Sequence, residues 1–386
     1  MIENAFDKPS RFESRKKFGS INLNLFESGG VSGEMQAIDF FCGCGGSSAG
    51  LRKAGIEVLA GIDNDPDAGC TFRMNFPEAK FFQEDIRNLH TFCLEPLIKR
   101  ERNRPLLFSA CAPCQPFTKQ KTTRRSDDNR MVLLDEFHRF VRVFRPDYIF
   151  LENVPGFKND AADRGPLARF LKFLDELGYK FDMQSPESRA YGVPQVRKRL
   201  VLVASLLGKI SVPPATHGPG TGNPNFASVW DTIGNLPEIR AGEEHDAVKN
   251  HRAASLSGKN LERIAATPEG GGRLDWPEEL RLACHREHSG HTDVYGRLRK
   301  DRPAAALSTR CISFSNGRYG HPTQDRAISV REAARLQSFD DSFEFAGSLN
   351  SMARQIGNAV PVRLAEVFAS HFNSHYKGSP YYGGSN

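Results

Sequence analysis

Apolar residues change their period along this chain. From Met35 to about Ser205, short β-rich runs alternate with stretches of helical spacing; the runs are AIDFF, EVLAGID, PLLFSA, PDYIFLE and RLVLVA. Near-continuous apolar strands separated by helices are what a sheet covered on both faces requires, so a doubly wound α/β fold is predicted. Between Met131 and Arg145, the residues Leu133, Phe137, Phe140, Val141 and Phe144 fall on one helical face, and Pro146 stops the helix. They read as core, Leu133 excepted.

Beyond residue 206 the periodicity fades into Pro, Gly, His and charge, as in PPATHGPGTGNPN and EGGGR. That stretch predicts a loop-rich second lobe. Helical character returns in VREAARLQSF and PVRLAEVFASHF. The expected organisation is a polar leader over 1–34, a first lobe over 35–206, a second over 207–349, a return to the first over 350–375, and a tail over 376–386. The leader carries the basic cluster Arg11, Arg15, Lys16 and Lys17 with a break at Gly29-Gly30, and reads as a loosely docked segment. No internal repeat is found.

Composition narrows the class. A chain of 386 residues exceeds the 250–300 at which single cores usually stop growing, so two lobes are expected. A net charge of +6 fits a polyanionic partner without establishing one. No apolar run approaches the roughly 18–20 residues of a membrane span, and the first 34 lack a signal peptide's apolar stretch, so a cytoplasmic, nucleoid-associated protein is expected. Eight cysteines spread over so long a chain predict reduced thiols rather than a disulfide framework.

Two turns carry candidate chemistry. AIDFF runs into CGCGGSSAG and then LRKAG, the order strand, glycine turn, helix, which lets a backbone approach a ligand and offers helix N–H groups to it. Ser48 stands where a dinucleotide fingerprint would place its third glycine, which disfavours nicotinamide or flavin. Asp63 ends the second strand 20 residues on, where a carboxylate can accept from both ribose hydroxyls. A nucleotide-like cofactor is the natural occupant.

The second turn, CAPCQPFT, follows PLLFSA and sets Cys114 at the carboxyl end of a central strand, with Glu152 and Asn153 ending the next long one. A thiol beside an acid is what addition to an electron-poor ring requires: the acid serves the ring nitrogen while sulfur adds to carbon. Arg197 and Arg199 are candidate cations to activate the thiol. Two rivals use the same cysteines, a Cys111/Cys114 redox pair and a metal site of Cys42, Cys44, Cys111 and Cys114. Neither fits: Pro113 and Gln115 flank the second thiol, and a metal would block the glycine turn. Cys284 with His285, His288 and His291 has a look of zinc ligation, but a polar loop face is the simpler reading, and no metal is expected.

In order and spacing, five motifs together resemble the cytosine-5 methyltransferase family. They are Asp39-Phe40-Phe41-Cys42-Gly43-Cys44-Gly45-Gly46 with Gly50-Leu51; Pro113-Cys114-Gln115-Pro116-Phe117; Glu152-Asn153-Val154; Gln195, Arg197 and Arg199; and Gln355-Ile356-Gly357-Asn358-Ala359-Val360-Pro361. The resemblance runs from about Ala37 to Val362 except for a variable segment. It implies a Rossmann-like S-adenosylmethionine-dependent fold with a mostly parallel sheet, plus a smaller target-recognition domain, acting as a monomer on double-stranded DNA.

Carried over, the resemblance gives Phe41, Gly43, Gly46 and Pro113 to the lining of an S-adenosylmethionine site, Asp63 to its ribose, and Asn64, Asp85 and Ile86 to its adenine. Leu133 would touch the cofactor, and Asn358 and Val360 would close over its amino-acid end. Cys114 would add to carbon 6 of a flipped-out cytosine, Glu152 would bond ring nitrogen 3 and the exocyclic amine, and Arg197 and Arg199 would hold the base and its backbone. This chain departs from the family pattern by adding the thiols of Cys42, Cys44 and Cys111 near the site, with an expected sensitivity to oxidation.

The basic loop FTKQKTTRRSDDNR reads as a lid closing on DNA. Arg252, Lys259, Arg263 and Arg273 of the variable stretch are expected to touch phosphates or bases. A tRNA methyltransferase is a rival, disfavoured because that branch's Cys-Phe-Thr is replaced here by Arg310-Cys311-Ile312-Ser313. An inert DNA-binding regulator is another, disfavoured because Cys114 and Glu152 are retained. Under the resemblance, a restriction endonuclease acting on the same site is a possible partner.

Overall fold

The computed structural model describes residues 35–99, 101, 103–112, 133–157, 165–283 and 292–382. Pro113, Cys114, the basic loop after it, the cluster from Cys284 to His291, the leader and the end of the tail lie outside the described residues.

Five of the strands fall on the five apolar runs: β1 (Gln36–Phe40), β2 (Glu57–Asp63), β4 (Leu106–Ala110), β5 (Tyr148–Asn153) and β8 (Leu200–Ser205). Two more, β3 (Lys80–Gln83) and β6 (Lys180–Gln184), are absent from the sequence reading and form the two edges of a seven-stranded sheet of order β3-β2-β1-β4-β5-β8-β6. The reason they escape notice is physical. An edge strand has one covered side and polar ends, so KFFQ and KFDMQ carry no long apolar run. The first five strands in that order pair in parallel, and β8 runs antiparallel to both of its neighbours.

Alternation along the strands sorts side chains into two apolar layers. Ile38, Phe40, Phe108, Ile149 and Leu202 face one layer, covered by α3 (Leu133–Phe144) and α4 (Pro166–Glu176). Ala37, Leu107, Phe150 and Val203 face the other, with α1 (Gly46–Lys53) and α2 (Pro66–Asn75). The same layer takes in three late helices, α7 (Val330–Leu336), α8 (Leu349–Asn358) and α9 (Val362–Lys377). The C-terminal part of the chain is thus built into the sheet's own core.

Between β8 and α7 the described backbone has little regular structure: α5 (Val229–Ile233), α6 (Gly258–Ala265) and a two-residue strand β9 (Ala304–Ala305) that pairs in parallel with β7 (Gln195–Val196). A separate small apolar cluster forms here around Ile264, Trp276, Leu280 and Phe314. No helix among the described residues is long and apolar enough to cross a membrane.

Candidate active site

The chain leaves β1 for β2 and β3 on one side and returns to β4 on the other. Loops leaving the carboxyl ends of β1 and β4 therefore diverge, and a crevice opens at this switch point. A cavity of about 440 Å³ occupies it.

The glycine turn makes its near wall through Phe41 and Gly43. Phe41 (φ 56°), Gly43 (φ 52°) and Gly45 (φ 96°) all take left-handed backbone, strained for Phe41 and free for glycine. A Cβ built on Gly43 would meet nothing within 4 Å, whereas one on Gly46 would sit 2.5 Å from the Val360 carbonyl oxygen. Gly43 thus opens onto the cavity, and Gly46 instead lets the start of α1 press against the Ala359–Val360 backbone.

Asp63 and Asn64 line the cavity from the end of β2. The Asp63 carboxylate accepts from Gly43 N at 2.8 Å and from Asp65 N at 2.9 Å, which fastens the glycine turn to the second strand. Burial pushes this carboxyl above its ordinary range. Asp39, wholly buried one strand over, is pushed up to about 6 by desolvation although Ser48 Oγ donates to it at 2.7 Å. Burial also raises the Cys42 and Cys44 thiols, Cys44 to about 12, so neither is a ready nucleophile.

Asp85, Ile86 and Leu133 form the far wall, and Asn358 and Val360 the end nearest α8. Arg87 bonds the Asp85 carboxylate and holds it below its usual range. Arg139 of α3 donates to the Ile86 and Leu89 carbonyls, fixing the Asp85–Leu89 loop. Among the lining residues that were not anticipated are Asp65, which caps α2 by accepting from Asp67 N and Ala68 N, and Arg354 of α8, whose Nη2 lies 3.0 Å from Asp65 Oδ2. The Asp65-Pro66 pair is a helix-start signal that could have located the first. Nothing local announces the second.

Beside the cavity, the parallel register of β4 and β5 sets Ala110 against Leu151. The next residue of each strand is then side by side, and Cys111 Sγ donates to Glu152 Oε2 at 3.1 Å. Arg199 Nε lies 3.0 Å from the other oxygen, Glu152 Oε1, and Glu152 is only 3% exposed. One residue further, Asn153 Nδ2 donates to the Ala112 carbonyl at 3.1 Å. Cys111 and Ala112 also line the cavity, so acid and cavity share a wall.

Arg197 does not join this group. It is buried and donates to the Leu307 carbonyl at 2.9 Å and the Gly357 carbonyl at 3.1 Å, a bracket between β9's loop and α8. Gln195 belongs to the same bracket: it bonds the Leu336 carbonyl and Gln337, which in turn donates to the Ile356 and Ala359 carbonyls. A Cβ on Gly357 would lie 2.1 Å from the Ser308 carbonyl oxygen, so only glycine admits this approach. The alternating QVRKR thus sends Gln195 and Arg197 inward as struts and Arg199 to the acid.

Of the basic residues expected along a polyanion, Arg273 is 3% exposed, and Arg263 lies over the Trp276 ring while donating to the Leu280 carbonyl. Arg252 and Lys259 stay at the surface, paired with Glu244 and Glu262.

The family model described as C-5 cytosine-specific DNA methylase matches residues 35–373. The chain is similar to a type II methylase, M.HgiDII, of Herpetosiphon aurantiacus, at 40% identity over 88% of this chain and 96% of the relative. It is similar also to the type II methyltransferase M1.HphI of Haemophilus parahaemolyticus, at 33% identity over 86% and 85%. Among solved structures, the fold resembles a prophage-encoded E. coli chain assigned as a DNA modification methyltransferase, with TM-score 0.65 and 22% identity over 88% of this chain and 99% of that one. It resembles the S. pombe Dnmt2 methyltransferase as well, with TM-score 0.61 and 18% identity over 89% and 99%.

Proposed function

Because the chain belongs to the C-5 cytosine-specific DNA methylase family, we propose that it methylates carbon 5 of cytosine at specific sites in double-stranded DNA, using S-adenosylmethionine. The observation that carries this reading is Glu152, a buried carboxylate held by Arg199 and by Cys111 of the crevice wall, near the end of the strand that pairs with the one leading to Cys114.

The cavity's donor set suits S-adenosylmethionine. Asp63 and Asn64 offer hydrogen-bonding groups for a ribose and its base, Ile86 and Leu133 an apolar slot for an adenine, and Gly43 an unobstructed backbone. Asp63 retains lone pairs for hydroxyl donors beyond the two amides it already accepts. Phe41, Asp85, Asn358 and Val360 complete the enclosure, and Pro113 is assigned to it by the family pattern. When bound, the cofactor supplies an activated methyl group on a positively charged sulfur.

The chain's own residues carry the rest. A target cytosine leaves the DNA stack, since its ring atoms are out of reach inside a duplex. The Cys114 thiolate adds to carbon 6 while Glu152 supports charge and proton at ring nitrogen 3 and accepts from the exocyclic amine. That addition moves an electron pair to carbon 5, which becomes nucleophilic and takes the methyl group. Loss of the carbon 5 proton then restores the double bond and expels the Cys114 sulfur. Arg199 holds Glu152 in place, whereas Arg197 braces the walls around them. The region between β8 and α7 is where DNA sequence would be read. The names of the type II relatives support a cytoplasmic setting and a partner restriction endonuclease with the same target.

Bisulfite sequencing of DNA from a methylation-free host tests this. The wild-type chain should protect cytosine within one short motif, and Cys114→Ser should lower methyl transfer on the order of 10³-fold or more while DNA is still bound. Unprotected DNA with the wild type, or full protection with Cys114→Ser, overturns the reading. DNA carrying 5-fluorocytosine at the target should trap a covalent adduct, because fluorine cannot leave carbon 5 as a proton does.

A further inference from the structure

The β4–β5 register sets Cys111, the residue after β4, beside Glu152, the penultimate residue of β5, so that the carboxylate has a cation on one side and a thiol donor on the other. Arg199 approaches Oε1 of Glu152, and the Cys111 thiol donates to Oε2. A carboxyl rotating about its last bond sweeps both oxygens through the plane where it must meet a flat ring. The Arg199 ion pair holds Oε1 by charge without a hydrogen bond and leaves that rotation open, whereas the directional bond from the thiol to Oε2 fixes the plane. The Asn153–Ala112 bond, one residue on, keeps the two strand ends in step so that the Cys111–Glu152 contact persists.

We propose that Cys111 is a positioning residue for Glu152: its protonated thiol fixes the carboxyl plane in which Glu152 meets the cytosine ring. The inference rests on the assignment of Glu152 to the base. It gives the thiol a task other than nucleophilic attack, metal ligation or disulfide formation. The sulfur hydrogen bond is a weak one, so its loss should slow the reaction modestly rather than abolish it. Loss of orientation should appear chiefly in kcat rather than in KM, because the thiol's hydrogen bond goes to Glu152 and Cys111 is one of many residues that line the cofactor cavity.

Steady-state kinetics on full-length Cys111→Ala and Cys111→Ser test the proposal. Cys111→Ala should lower kcat about 3- to 10-fold with KM for S-adenosylmethionine and for DNA within twofold, and Cys111→Ser, which keeps a hydroxyl donor within reach, should recover to within about twofold of wild type. Equal rates in the wild type and Cys111→Ala overturn it, as does a serine variant as slow as alanine. Infrared spectroscopy gives a readout free of turnover. The S–H stretching band lost in Cys111→Ala should be displaced to lower frequency in the wild type and return to that of an unbonded thiol in Glu152→Ala; a band unmoved by Glu152→Ala counts against the contact. Glu152→Gln separates the two assignments. If it turns over like the wild type, the Glu152 assignment itself fails; if it is inactive while Cys111→Ala is unimpaired, only the positioning role fails.

Discussion

The sheet and the region between β8 and α7 are held together by different forces. In the sheet, every interior strand finds partners on both sides, and rings such as Phe40, Phe108, Phe137 and Phe140 pack at centroid distances near 5 Å. The other region has almost no ladders, and arginine takes their place. Arg297 donates to the Ile264, Thr267, His321 and Gln324 carbonyls, Arg318 to those of Gly270 and Gly271, and Arg331, from the first turn of α7, reaches back to that of Lys249. Arg326 meets Glu332 through two bonds of 2.7 Å, both residues being almost wholly buried.

An irregular backbone still has to satisfy its buried carbonyls, and a guanidinium with five donors in a rigid fork can serve several at once. The difference teaches caution about charge. Part of the +6 excess is spent inside the protein on Arg197, Arg273, Arg297, Arg326 and Arg331 rather than displayed to DNA.

If the contrast is right, cutting an arginine tie should hurt more than trimming the sheet. Glu332→Ala leaves Arg326 buried without its carboxylate and should cost about 3–5 kcal/mol in chemical denaturation. A loss below about 1 kcal/mol would mean that the pair is dispensable. Arg297→Lys keeps the charge but not the fork, and should cost about 2 kcal/mol, with hydrogen exchange accelerated over residues 264–324 while β1, β4 and β5 stay protected. Uniform acceleration would show that the two regions unfold as one.

The two regions should also respond to pH with opposite sign. His321 is pushed down to about 4 by burial, so its contribution is present above pH 6.5 and is lost as pH falls through 4. Asp39 is raised to about 6, so its contribution is present below pH 3.8 and is lost as pH rises through 6. Between pH 7 and pH 5, His321→Asn should remove about 1–2 kcal/mol of acid destabilisation, and Asp39→Asn should remove about 1 kcal/mol of the opposing trend, both measured by denaturant titration. The same direction in both variants would refute this account. The smallest effect is expected from Ile149→Val in the sheet, about 1 kcal/mol and spread over the whole transition, since one methylene is lost from a core that can partly close over it.

Legibility in the sequence follows the same division. The five inner strands could be read because burial on both faces forces a long apolar run; β3 and β6 could not, because an edge needs none. The glycine turn, Asp63 and Glu152 were visible because each sits at the end of a strand whose position was already legible, and the remaining motifs because of their order along the chain. Cys111 was seen only as an extra thiol, and Arg354 not at all, since their partners Glu152 and Asp65 lie 41 and 289 residues away in the chain.

What the sequence by itself determined is the sheet's inner framework and the family, because apolar period and motif order are local or ordered along the chain. What only the tertiary structure decided is the duty of each charged side chain. Arg197 and Arg199 are two residues apart and identical in chemistry, yet one braces carbonyls of β9's loop and α8 while the other meets Glu152. A guanidinium's task is set by whichever acceptors the fold brings within 3 Å of it, and that distance is not written in the neighbouring residues.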